Sequence, residues 1–115
     1  MKVAVAHAGE SVAPCFGFSG TITIFTIERR RIVDKTDFWL QSRDELDRVR
    51  LLRDQGVEAL ICGGIQERIE DILGAHDIRV FSWVSGTTDE LLKQFICGQL
   101  EPGSGRLGCK PEPGQ

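Results

Sequence analysis

Long apolar runs are missing from this chain. No stretch of its 115 residues approaches the ~20 consecutive apolar residues of a membrane span. The opening Met1-Lys2-Val3-Ala4-Val5-Ala6 is too short in apolar residues for a signal peptide and is better used as a strand. No two of the four cysteines (Cys15, Cys62, Cys97, Cys109) form a Cys-x-x-Cys pair, which excludes a zinc ribbon and a thioredoxin motif. A basic surplus is missing too: 14 Lys and Arg stand against 17 Asp and Glu, for a net charge of −3. That balance argues against nucleic acid as a partner. The only dense basic run, Arg29-Arg30-Arg31, falls where a hairpin turn is expected and reads as a solvated turn. There is no internal repeat. These absences point to a cytoplasmic protein with neither membrane nor nucleic acid as partner. In that reducing compartment its thiols are free or ligate metal.

What is present suits one domain with one core, since 41% of the residues are hydrophobic. Lys2 to Ala6 reads as a central strand buried on both faces. Residues 7–18 form a long loop holding His7, Gly9, Pro14, Cys15 and Gly17, and loops of that length are commonly functional. Thr21 to Ile27 and Ile32 to Trp39 read as a hairpin around a polar turn. Ser42-Arg43-Asp44-Glu45 is a capping box opening a helix with Leu46, Val49 and Leu52 inward and Gly56 as its stop. The strand Ala59-Leu60-Ile61-Cys62 follows, and then a helix from Ile65 to Leu73 ended by Gly74. Ile78 to Phe81 is a short strand. Thr87 and Glu90 form a second capping box for a helix carrying Leu91, Leu92, Phe95 and Ile96. Residues 1–100 form the domain. Residues 101–115, with three of the four prolines, read as a flexible tail.

Helix-linked strands should be parallel and the hairpin antiparallel, which predicts a mixed five-stranded α/β sheet flanked by helices. The first strand and the Cys62 strand should be central neighbours, with their carboxyl ends meeting at a switch point where ligands bind. There Gly63-Gly64 allows a sharp turn and close ligand approach, and the helix after it directs free N–H groups at that turn. Cys62 sits at its lip. A thiol beside an anion cradle suggests an anionic metal–sulfur species.

Four segments carry a family resemblance: Met1-Lys2-Val3-Ala4-Val5, Pro14-Cys15-Phe16-Gly17, Ile61-Cys62-Gly63-Gly64-Ile65 and Val84-Ser85-Gly86-Thr87. In this order and spacing, over roughly residues 1–100, the chain resembles the dinitrogenase iron–molybdenum cofactor biosynthesis family. The resemblance implies a ribonuclease H-like fold with sheet order 3-2-1-4-5. It implies binding, carriage or storage of an iron–sulfur, iron–molybdenum or molybdenum–copper sulfide cluster, exchanged with a cluster donor or acceptor protein. It does not imply catalysis. Many members carry His where this chain has Cys15, and a thiolate there prefers soft metals such as cluster iron or Cu(I).

The expected metal ligands are therefore Cys15 and Cys62. Gly63, Gly64, Ser85 and Gly86 are expected to contribute backbone N–H groups, His7 a ligand or donor, and Phe16 with Phe18 an apolar lid. Each has a plainer reading. Cys62 is also a small hydrophobe ending a buried strand. The glycines serve any tight turn, Ser85-Gly86-Thr87 caps a helix, and His7 is a surface loop residue. Cys97 and Cys109 are given no firm role, and Trp39 and Trp83 read as packing. Two other functions compete with cluster carriage: a metal-free regulatory or interaction domain binding a small anion or protein, and a thiol enzyme using Cys15 and His7. Nuclease chemistry is not expected, because the first strand carries no carboxylate.

Overall fold

The computed structural model describes residues 1–42 and 44–103. Most of the expected tail, Cys109 included, lies outside the described residues. The elements are β1 (Lys2–Ala8), β2 (Ser11–Val12), β3 (Thr21–Glu28), β4 (Arg31–Trp39), α1 (Glu45–Asp54), β5 (Ala59–Ile61), α2 (Glu67–Ala75), β6 (Arg79–Phe81) and α3 (Thr88–Ile96).

The sheet runs β4-β3-β1-β5-β6, with β2 attached to β1. Pairing is antiparallel from β4 to β1 and parallel from β1 through β5 to β6. The five long strands thus take the expected order, but the sheet has six strands. The sixth comes from the 7–18 segment. Gly9, at φ 63°, folds it back so that Val12 pairs with His7 and Ser11 with Ala8.

β1 divides two cores. Ala4 and Ala6 face α1 and α2, packing with Ile22, Ile24, Leu52, Leu60, Ile69 and Leu73. Val3 and Val5 face α3, packing with Phe25, Ile61, Phe81, Leu91 and Leu92. The strand alternation of period two therefore yields three layers, and β1 is buried on both faces as its unbroken apolar run requires. Small alanines on one side let α1 and α2 approach the sheet closely.

Helix boundaries differ from expectation by about one turn or less. α1 starts at Glu45, because Asp44 rather than Ser42 is the cap: its Oδ1 accepts from the Leu46 N–H at 2.9 Å. Ser42 Oγ instead accepts from the Asp44 N–H. α2 begins at Glu67, two residues late, and runs through Gly74 to Ala75. Asp77, at φ 62°, makes the turn that follows. Thr87 caps α3 as expected, accepting from the Glu90 N–H at 3.2 Å. The hairpin turn is Arg29-Arg30, both at positive φ, the twist that a two-residue antiparallel loop demands. Beyond α3, Leu100 is buried and the Gly103 N–H donates to Ser82 O at 2.7 Å.

Candidate functional site

Two glycines organise the carboxyl end of β5. The Gly64 N–H donates to Pro14 O at 2.6 Å, and Gly64 O accepts from the Phe16 N–H at 2.7 Å. A Cβ on Gly63 would lie 2.3 Å from Ala13 O, and one on Gly64 would lie 3.0 Å from the Trp83 ring. The glycines are thus needed so that the Pro14–Phe16 backbone can lie directly on the turn. The expected cradle is replaced by a backbone seam, because the Gly64 amide is already used. The 7–18 segment is correspondingly no loose lid. It is held at Ala13 by Ala6 O, at Val12 by Gly86 O, and at Glu10 O by the Thr88 N–H.

This seam places Cys15, which is exposed, at the lip of a cavity of about 330 Å³. Its walls are Cys15, Gly17, Phe18, Glu45, Gly64, Ile65, Gln66 and Trp83. Phe18 stands 78% exposed on a single 3-10 turn, Phe16–Phe18. Trp83 adopts φ 58°, unusual for a bulky residue, while its N–H donates to Gly63 O at 2.9 Å. That backbone bond sets the indole over Gly64. Glu45 enters because Gly17 has no side chain to hold it off.

The amino end of α2 opens on the same cavity. α1 and α3 each have a side-chain cap, whereas Gln66 provides none for α2. Among the described residues the N–H groups of Ile65, Gln66, Glu67 and Arg68 find no backbone acceptor. They are the usual orphan donors of a helix start and carry the positive end of its dipole.

The remaining expected site residues lie elsewhere. Cys62 is fully buried in the core on the α1 and α2 side, with Phe16 beside it in the same cluster. Burial pushes its thiol up to about 12, with the Glu70 charge adding to the shift. Phe16 is therefore core and not lid. His7 belongs to β1 on the α3 face, where Nε2 lies 2.6 Å from Thr23 Oγ1 and Nδ1 lies 2.9 Å from Gly9 O. Thr23 Oγ1 donates to Asp37 Oδ1 at 2.7 Å. The hydroxyl proton is thus spent on Asp37 and a carbonyl faces Nδ1. His7 is thus tied to Asp37 through the Thr23 hydroxyl and to the Gly9 carbonyl, a structural position within the sheet. Ser85 and Gly86 are exposed and neither lines the cavity; Gly86 O accepts from the Val12 N–H of β2. Glu45, Gln66 and Trp83 line it without having been singled out by sequence. Only their positions just past strand ends or at a helix start hinted at this.

Beneath the loop lies Arg48, buried at 2% exposure. Its guanidinium donates to Ser19 O at 2.7 Å and to Ser42 O at 2.8 Å. No carboxylate pairs with it among the described residues. Among those residues there is also no group of three or more His, Cys, Asp or Glu side chains able to hold a bare metal ion.

No helix among the described residues is long and apolar enough to cross a membrane. No curated protein sequence gives a significant match. The fold is nonetheless shared. The crystal structure of PH0822 superposes with a TM-score of 0.83 at 22% identity, covering 90% of this chain and 96% of that one. The apo form of the orange protein from Desulfovibrio gigas gives 0.73 at 19% identity, covering 90% and 93%. At such identities the likeness speaks of fold alone. The sequence itself matches the family described as dinitrogenase iron-molybdenum cofactor over residues 1–98, and the chain belongs to that family.

Proposed function

We propose that this protein is a non-enzymatic carrier of a preassembled, anionic metal–sulfur cluster, held by Cys15 at the mouth of the Phe18–Trp83 cavity. The observation that carries this reading is the exposed Cys15 thiol on the same wall as the uncapped start of α2. One protein thiolate is a soft ligand for iron or Cu(I). By itself it is too few for a cluster built from free ions, which usually needs about four cysteines. The cargo therefore brings its own sulfide. Orphan N–H groups of α2 stabilise its negative charge, and Phe18 and Trp83 shield it from water. Attachment through a single thiol suits release to an acceptor, which fits carriage better than permanent residence.

Cys62 in this reading is core packing, since a thiol raised to about 12 is protonated at neutral pH and lies off the cavity wall. His7 is likewise structural. The strand order supports the ribonuclease H-like assignment, while β1 (Lys2–Ala8), which contains no carboxylate, gives no support to nuclease chemistry. A cytoplasmic setting and the cargo's identity as iron–sulfur, iron–molybdenum or molybdenum–copper sulfide belong to the same proposal.

The test is anaerobic loading with iron and sulfide, and separately with copper and tetrathiomolybdate. Metal, acid-labile sulfide and the visible spectrum are then measured for the wild type, Cys15→Ala and Cys62→Ala. Cluster uptake lost in Cys15→Ala and kept in Cys62→Ala is expected. Equal uptake in all three, or none in the wild type, overturns the reading and favours a metal-free interaction domain using the same apolar cavity.

A further inference from the structure

β4 is an edge strand of nine residues with no proline or glycine, and no described strand covers its outer side. Both of its faces are largely solvent exposed. Ile32 (46%), Val33 (55%) and Trp39 (75%) are three of the large hydrophobics left exposed. Bare edges of this kind template pairing with another chain unless something blunts them.

Which backbone groups point outward follows from the register. The Leu40 N–H donates to Gly20 O at 3.0 Å, so Leu40 and the residues two and four before it face β3. Lys35, Asp37 and Trp39 then turn their N–H and C=O groups to the free edge. The regular set ends at Lys35, because the ladder shifts beyond Asp34 and skips Val33. In an antiparallel pair, outward residues meet outward residues. Only a few registers with two-fold symmetry satisfy that.

The side chains choose among them. Centring on Lys35 sets two ammonium groups opposite each other, and centring on Asp37 sets two carboxylates opposite. Centring on Asp34 does the same on the other face. Centring on Thr36 sets Lys35 against Asp37 on both sides of a Thr36–Thr36 pair, with Asp34 opposite Phe38, and brings no like charges together. Opposite charges, threonine pairs and aromatic–β-branched pairs are the favourable cross-strand partners. Lys35-Thr36-Asp37 is its own complement when reversed. Among the antiparallel two-fold registers, this one alone forms two Lys35–Asp37 pairs of opposite sign, and it is the one that the charges favour. Asp37 is already steadied by Thr23 through Oδ1, and Oδ2 has no hydrogen-bond partner among the described residues.

We propose that two copies of this chain pair through β4, antiparallel about a two-fold axis at Thr36, joining their sheets into one. None of the residues lining the Cys15 cavity comes from β4, so the dimer leaves both cavities open. The proposal does not depend on what the cavity binds.

Sedimentation of the full chain from about 1 μM to about 1 mM spans weak to standard interfaces. A reversible monomer–dimer equilibrium is expected. Lys35→Asp and Asp37→Lys should each raise the dissociation constant by about tenfold or more, because each sets like charges opposite. An equimolar mixture of the two variants should regain the dimer, with one copy of each, since both pairs between positions 35 and 37 are then of opposite sign. Because Asp37 also anchors Thr23, a second measurement avoids its loss. In a chain with Cys15, Cys97 and Cys109 replaced by serine, Thr36→Cys should cross-link to itself under mild oxidation. Facing residues of a non-hydrogen-bonded pair sit about 4.5 Å apart at Cα, within disulfide reach. Ile32→Cys in the same background should not. A wild type that stays monomeric throughout, a mixture no more dimeric than its components, or equal cross-linking at both positions overturns the proposal.

Discussion

Gly64 and Phe16 are joined by a 2.7 Å backbone hydrogen bond, and this bond decides where Cys15 stands. The Phe16 side chain is buried below in the α1 and α2 core, while the thiol one residue earlier is left in solvent. A core contact and a backbone seam together hold an exposed thiol at the rim of a cavity.

Gly63→Ala tests the seam. Its Cβ meets Ala13 O at 2.3 Å and Pro14 O at 2.6 Å, and backbone cannot step aside as a flexible side chain does. The loop must lift. Overpacking of this kind costs about 1–3 kcal/mol, to be read from urea unfolding. Cluster uptake should fall with it, although Cys15 is untouched. A variant as stable as wild type would mean that the loop is not seated as described.

Arg48 holds the same loop from beneath. Arg48→Met keeps the stem but strands the carbonyls of Ser19 and Ser42. A buried acceptor left without its donor costs about 1–3 kcal/mol. Arg48→Lys keeps the charge yet lacks the fork that reaches both carbonyls, and should recover only part of the loss. Thermal unfolding of the three proteins gives the ranking wild type, Lys, Met.

The alkaline limb of stability reports on Cys62. Its thiol is raised from 9.0 to about 12, by burial first and Glu70 second. Above pH 9 the unfolded chain loses a proton that the folded chain keeps. Stability from this group is therefore complete below pH 9 and is lost as pH rises towards about 12. The full effect is on the order of a few kcal/mol, since each pKa unit corresponds to about 1.4 kcal/mol. Cys62→Ala should flatten the decline in urea midpoint between about pH 9 and about pH 11, even though its neutral-pH stability is slightly lower. An unchanged slope would show that other groups control that limb.

The fold was legible where a periodic pattern had one physical cause. Thr21–Glu28 alternates because both of its faces are used, and Thr87 caps because its spacing to Glu90 admits nothing else as simple. The parity of Leu60 and Cys62 was also readable. Side chains two apart share a strand face, so a core Leu60 already sends Cys62 to the core. What could not be read was tertiary. Gly63-Gly64 looks the same whether a ligand or another backbone lies against it, and here the backbone of residues 13–16 does. The β2 fold-back rests on two pairs with β1, too short for a pattern. Glu45 and Trp83 come to the cavity from α1 and from beyond β6, which no local spacing connects to Cys15.

Glu45 distinguishes an anionic cargo from a cationic one. Among the described residues its side chain is the only formally charged one lining the cavity, and it stands at the first position of α1. A cluster bearing negative charge meets this carboxylate as a repulsion that tempers the attraction of the α2 amides. A bare divalent cation meets it as a second ligand beside Cys15. Removing one charge across a cavity of this kind changes the interaction by about 2 kcal/mol at an effective dielectric near 20. Glu45→Gln keeps the shape of the wall. It should therefore tighten an anionic cluster by about tenfold or more, and slow its transfer to an acceptor chelator to a similar degree. For a bare metal ion the same change weakens binding. Retention measured anaerobically against a competing thiol separates the two, and weaker retention in Glu45→Gln would reverse the sign assigned here to the cargo.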